Sequence, residues 1–173
     1  MISERLGAEM NKQIGEEFRA AAHYLAMAAY LDSENWNGFA GFMKTQTEEE
    51  REHGMKFYAF LNEVGYRVTL GGIEEPKNDY SSIKEVFETA LEHEKLVTSK
   101  IRKMVAIAEE ENDYCARNIL QWFVDEQVEE ENSMEEILIQ LERIGDNQTA
   151  FLMMDSKLGN KRSEGAETET DGE

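Results

Sequence analysis

Residues 48–53 read EEEREH. Glu50 and His53 are three positions apart, so a helix puts both side chains on one face, one turn from each other. A carboxylate oxygen and an imidazole nitrogen offered together suit a divalent transition metal. Steps of three and four from Phe39, Met43, Gln46, Phe57, Phe60 and Val64 land on this same pair, which therefore points at an apolar stripe. Three further acids behave alike. Glu17 lies one helical step from Ile14, Ala21 and Tyr24. Glu94 follows Phe87 and Leu91 and precedes Val97, Thr98 and Ile101. Glu130 falls in the series Phe123, Gln127, Met134, Ile137.

Four ionised carboxylates gathered in a dry interior would repel one another, and each costs several kcal/mol to desolvate. Protonation relieves part of that cost, and bound cations relieve more. A set rich in carboxylate, poor in nitrogen and without thiolate points to iron or manganese rather than to a structural zinc. Glu50 is the best candidate to bridge two ions, being central and paired with a histidine. Singly, each residue is a weak signal. A glutamate beside a stripe is ordinarily a solvated flank, Tyr24 reads as a core tyrosine, and Gln46 and Gln127 read as hydrogen-bonded core amides. His23 and His93 lack a glutamate three residues earlier and read as structural or surface residues. The conjunction is specific: one acid per helix, each near mid-height.

The elements that must position them are four long helices and a short fifth. The first runs from an N-cap at Ser3 to about Leu31, with the stripe Leu6, Met10, Ile14, Phe18, Ala21, Leu25, Ala28. The second runs from about Trp36 to Val64, with Gly65 in the C′ position. Residues 65–80 hold three glycines and Pro76 and form a long connection. The third opens at Ser82 with Glu85 three residues on, a capping box. The fourth runs from about Asp113 to Arg143, closed by Gly145, with Phe123, Val128, Met134 and Ile137 on its stripe. A short apolar segment, 148–158, follows. Residues 159–173 are a polar acidic tail, expected to be mobile and outside the domain 1–158. Short first and third connections with a long second give a bundle with one crossover, its middle helices parallel.

The formal charge of −19 argues against nucleic acid and anionic membranes as partners and suits the attraction of cations. Cys115 is the single cysteine, so no disulfide framework exists and a reducing cytoplasm is expected. The N-terminus has no apolar signal core.

At these residues the chain resembles the ferritin family, specifically the non-haem prokaryotic ferritins. The resemblance runs from Ser3 to about Leu158. It rests on Glu17 with Tyr24, EEEREH at 48–53, HE at 93–94 and QWFVDEQVEEE at 121–131. It implies an all-α ferritin-like four-helix bundle with a short fifth helix. It also implies a diiron ferroxidase centre, with Glu17, Glu50 and His53 on one iron and Glu50, Glu94 and Glu130 on the other. Gln127 would be a hydrogen-bonding neighbour and Tyr24 a one-electron donor beside the centre. Glu49, Glu126 and Glu129, sharing Glu130, would form a third iron position, and Trp122 is adjacent in sequence. The family implies a homo-oligomeric shell of two dozen subunits, in which ferrous iron is oxidised by O2 or H2O2 and stored as ferric oxyhydroxide. Arg51 stands where bacterioferritins carry a haem-binding methionine, so no haem is expected. Gln127 and Glu130 stand where bacterioferritins and rubrerythrins repeat Glu-x-x-His. Two other classes stay open from the residues alone: a diiron oxidoreductase that stores no mineral, and a metal-free helical interaction protein.

Overall fold

In the computed structural model, which describes residues 2–168, the chain forms five helices: α1 (Glu4–Ser33), α2 (Asn37–Glu63), α3 (Ile83–Glu110), α4 (Tyr114–Ile144) and α5 (Gln148–Thr168). The expected ends hold to within a few residues for the four long helices. α5 continues ten residues beyond the expected stop at Leu158, and the last part of the expected mobile tail, residues 169–173, lies outside the described residues.

The helix ends follow from local chemistry. Ser3 accepts a hydrogen bond from Leu6 N at 3.1 Å, and Ser82 accepts one from Glu85 N at 3.1 Å. The returning half of the capping box lands one residue early, because the Glu85 carboxylate takes the N–H of Ser81 at 2.6 Å. Asp113 caps α4 through Ala116 N. Gly65 ends α2 with φ 77°, the left-handed conformation that glycine adopts without steric cost. Asn35 and Asn112 take φ 64° and 55° in the two tight connections, a role open to asparagine because its short side chain bonds locally.

α1 pairs with α2 and α3 with α4 as antiparallel hairpins. Arg5, near the start of α1, meets Glu110, at the end of α3, at 2.7 Å. α1 and α3 are therefore antiparallel, and α2 and α3 parallel, so residues 64–82 must cross the length of the bundle. α5 packs against the start of α2. Asp155 accepts from Phe39 N at 2.9 Å, and a Cβ on Gly38 would lie 1.7 Å from the Asp155 carbonyl oxygen. Only glycine permits that approach. No helix is long and apolar enough to cross a membrane among the described residues.

The interior is two apolar clusters, not one. One gathers Met27, Leu31, Phe39, Met43, Phe87 and Met134; the other gathers Met10, Ile14, Phe57, Ile101, Leu120 and Phe123. Between them lies a layer of buried polar side chains. Two expected stripe members lie outside the core: Leu25 is 55% exposed and Val128 is 56% exposed. Repeated steps of four drift about 40° each on a helix of 3.6 residues per turn, and a step of five from Phe123 turns well away from its face. The core instead takes Ala20, Tyr24 and Met27 on α1, and Gln127 and Glu130 on α4.

Candidate metal centre

Each long helix delivers one acid to the layer between the two clusters. Glu17, Glu50, Glu94 and Glu130 are all buried, as is His53. Ligand atoms of Glu17, Glu50 and His53 lie within 4.8 Å of one another, and so do those of His53, Glu126 and Glu130. His53 Nδ1 stands 3.9 Å from Glu50 Oε1, too long for a hydrogen bond and suited to an ion between them. Among the described residues, Oε2 of Glu17 and Oε2 of Glu50 are buried without a hydrogen-bond partner. A buried carboxylate oxygen left unpaired is costly, and a cation is the ligand that such oxygens accept.

Electrostatics express the same crowding. Burial pushes Glu17 up to about 7, an effect that hydrogen bonds from Glu50 and Gln13 oppose. Burial pushes Glu50 well above the usual carboxyl range, and repulsion from Glu17 and Glu94 adds to it. Glu130 reaches about 8, from burial first and then from Glu94 and Glu49. Glu94 is raised by burial despite hydrogen bonds from Tyr24 and Gln127. His53 moves the other way, down to about 4, through burial and then Lys56. It is a neutral imidazole at pH 7, the form that binds metal.

Hydrogen bonds from amides and a phenol hold the carboxylates. Gln13 Nε2 donates to Glu17 Oε1 at 3.1 Å, from one turn earlier on α1. Tyr24 donates its hydroxyl to Glu94 Oε1, and Gln127 Nε2 donates to Glu94 Oε2 at 3.0 Å. Gln46 donates to Glu49 Oε2 and, at 3.4 Å, to Glu130 Oε1. Of the acids expected beside the centre, Glu126 joins His53 and Glu130, half-buried Glu49 is held by Gln46, and Glu129 is exposed and in neither group. Sequence reading passed over Gln13, although its position four residues before Glu17 is the available signal. Trp122 sets its ring edge-on to His53 at 5.4 Å, with Lys56 Nζ 3.9 Å from the Trp122 ring centre. His93 packs edge-on to Tyr24 and stacks on His23.

Comparison with known proteins finds close likeness over most of the chain. The family model for the ferritin-like domain matches residues 7–144. The bacterial non-heme ferritin of Staphylococcus aureus (strain USA300) is 41% identical over 159 residues, which are 92% of this chain and 96% of that protein. A crystal structure described as a novel open pore ferritin from the hyperthermophilic archaeon Archaeoglobus fulgidus superposes with a TM-score of 0.90 at 42% identity, covering 92% of this chain and 98% of that one. An engineered closed form of the Archaeoglobus protein superposes at 0.89, also at 42% identity, covering 92% and 97%. The chain belongs to the ferritin family.

Proposed function

We propose that the protein is an iron-storage ferritin, which oxidises ferrous iron inside each chain and keeps the ferric product as an oxyhydroxide mineral within a hollow homo-oligomeric shell. One observation carries the reading: four carboxylates and an imidazole from four helices converge in a buried layer, with oxygens of Glu17 and Glu50 left unpartnered among the described residues. Glu17, Glu50 and His53 hold one iron ion, and Glu50, Glu94 and Glu130 hold a second, with Glu50 shared. Glu49, Glu126, Glu129 and Glu130 offer a third position. The proximity of Glu126 and Glu130 to His53 supports it.

Iron here is substrate and cargo. Two ferrous ions give up one electron each. Dioxygen takes two electrons and two protons and leaves as hydrogen peroxide, or hydrogen peroxide takes the same and leaves as two waters. The protein supplies a fixed spacing, open coordination positions and a dry wall. Tyr24 and Gln127 hold Glu94 in place. The structural likeness to archaeal ferritins at 42% identity supports a shell, expected as a 24-subunit cage. A reducing cytoplasm suits a chain whose free cysteine, Cys115, is exposed.

Size-exclusion chromatography combined with aerobic ferrous titration tests the reading. The expected result is a particle many times the mass of one chain that oxidises a few ions per chain quickly and retains many more slowly. A monomer inert to ferrous iron excludes it, and a protein that turns over peroxide without retaining iron supports the storage-free oxidoreductase instead.

A further inference from the structure

The centre has two outer faces of unlike chemistry. On the α2–α4 side stand Glu49, Glu52, Asp125, Glu126 and Glu129, with Lys56 beside them; burial, and then the neighbouring acids, raise the pKa of Glu49 and of Glu126. That side suits cations. On the α3–α4 side a cleft of about 160 Å³ descends between the helices, lined by Thr98, Ile101, Val124, Gln127, Val128 and Glu131. Its rim charges are balanced: Glu131 and Glu135 face Arg102, and Lys95 pairs with Glu135 at 3.2 Å.

The floor of the cleft touches the centre through two side chains. Gln127 Nε2 donates to Glu94 Oε2 at 3.0 Å and to the Glu94 carbonyl at 3.3 Å, and it also reaches Thr98 Oγ1 at 3.4 Å. Thr98 Oγ1 in turn donates to Glu131 Oε1 at 2.5 Å. The amide hydrogens of Gln127 are turned inward, to Glu94 and Thr98. A small neutral molecule meets an apolar lining of Ile101, Val124 and Val128, then a hydroxyl and an amide able to hydrogen-bond it.

We propose that the α3–α4 cleft is the route by which a small neutral oxidant, dioxygen or hydrogen peroxide, reaches the iron pair, with Thr98 as its gate. This rests on the proposed function, since it assigns a path for that reaction's oxidant. Thr98 acts on access: its hydroxyl bonds Glu131 and Gln127, and Gln127 lies between that hydroxyl and the Glu94 carboxylate.

Two substitutions block the cleft at different depths. Thr98→Leu fills the floor, and Asn132→Trp covers the exposed mouth without touching the core. Each protein is loaded anaerobically with two ferrous ions per chain and mixed in stopped flow with dioxygen in one arm and hydrogen peroxide in the other. Anaerobic Co2+ titration reports the ion sites separately, and crystals under xenon pressure report the cleft itself, since xenon enters apolar cavities. In both variants the second-order rate with oxidant is expected to fall about tenfold, one decade of barrier. Co2+ binding is expected to stay unchanged, and the xenon seen in the wild-type cleft to be lost. A fall in one arm alone assigns the cleft to that oxidant. Unchanged oxidant rates in both variants, against a wild-type protein that oxidises iron, overturn the route and leave the proposed function standing. So does a slowed Thr98→Leu that has also lost Co2+ binding while Asn132→Trp is normal. A wild-type protein that binds iron and oxidises none overturns the proposed function and the route together.

Discussion

Tyr24 on α1 donates its hydroxyl hydrogen to Oε1 of Glu94 on the neighbouring α3, across 70 residues of sequence. Gln127 on α4 takes the other oxygen of the same carboxylate. Glu94 is thus fixed from two helices, and its direction is set before any ion arrives. The phenol is fully buried, and burial together with the Glu94 charge raises its pKa well above 10, so it remains a donor throughout the physiological range.

Tyr24→Phe removes one of these two bonds and keeps the ring packing. A lost partner to a metal-binding side chain ordinarily costs about 10- to 100-fold in affinity or activity. The expected result is a fall of that size in the initial rate of ferrous oxidation, with stability lowered by about 1–3 kcal/mol because a buried acceptor is left unpaired. Stopped-flow oxidation and chemical denaturation measure the two effects. An unchanged initial rate would mean that Glu94 needs no such support.

Glu50→Gln tests the cost of the carboxylate layer. Glu50 is repelled by Glu17 and Glu94 and has an unpartnered oxygen. Replacing a buried charge by a neutral group of like shape is often neutral or stabilising, by up to about 4 kcal/mol. The ion-free variant is expected to melt at or above the wild-type temperature, while the rise in melting temperature given by Co2+ or Fe2+ disappears. Retained ion stabilisation would remove Glu50 from its shared role.

The raised carboxyl pKa values fix a pH dependence. A group whose folded pKa lies above its unfolded value stabilises the fold when protonated, and that contribution is lost as pH rises from the unfolded to the folded pKa. For Glu17 and Glu130 the window runs from about 4.5 to about 7 and about 8. His53, depressed to about 4, opposes this trend only below about 6.5. The ion-free protein is therefore expected to lose stability between pH 6.5 and pH 8. Divalent ions should reverse the loss and release protons on binding at pH 7. Melting curves across pH, with and without Co2+, and proton release followed in weak buffer check both statements.

Gly38→Ala tests how α5 is fastened. The added Cβ would collide with the Asp155 backbone, which cannot move without displacing the helix. Overpacking of this kind costs about 1–3 kcal/mol or more. Asp155→Ala, which loses only the bond to Phe39 N, should cost about 0.5–2 kcal/mol, as for a lost helix cap. Thermal melting of the pair gives the order, and equal effects would mean that α5 adjusts freely.

The four acids and the Glu50–His53 pair were legible because each is a matter of spacing along one helix, and the long crossover because residues 65–80 hold three glycines and Pro76. Every carboxylate of the layer carries a helical period that can be counted in the sequence. What was not legible depends on neighbours across helices. Leu25 and Val128 carry apolar side chains on faces that nothing among the described residues covers. The bonds from Gln46 to Glu130 and from Thr98 to Glu131 join α2 to α4 and α3 to α4, and no spacing within a helix announces them. Glu126 and Glu129 stand three apart and share a helix face, yet only Glu126 brings a carboxylate oxygen close to His53, a difference that spacing along α4 does not announce. The extent of α5 past Leu158 escaped for another reason: its residues there are polar and carry no stripe to count.

The most direct measurement is anomalous diffraction at the iron edge from crystals soaked anaerobically in ferrous iron. The account predicts two iron peaks per chain within the buried layer. One lies among Glu17, Glu50 and His53, the other among Glu50, Glu94 and Glu130, and both vanish in Glu50→Gln. Iron bound only at exposed acids, with the buried layer empty in the wild-type protein, would contradict it.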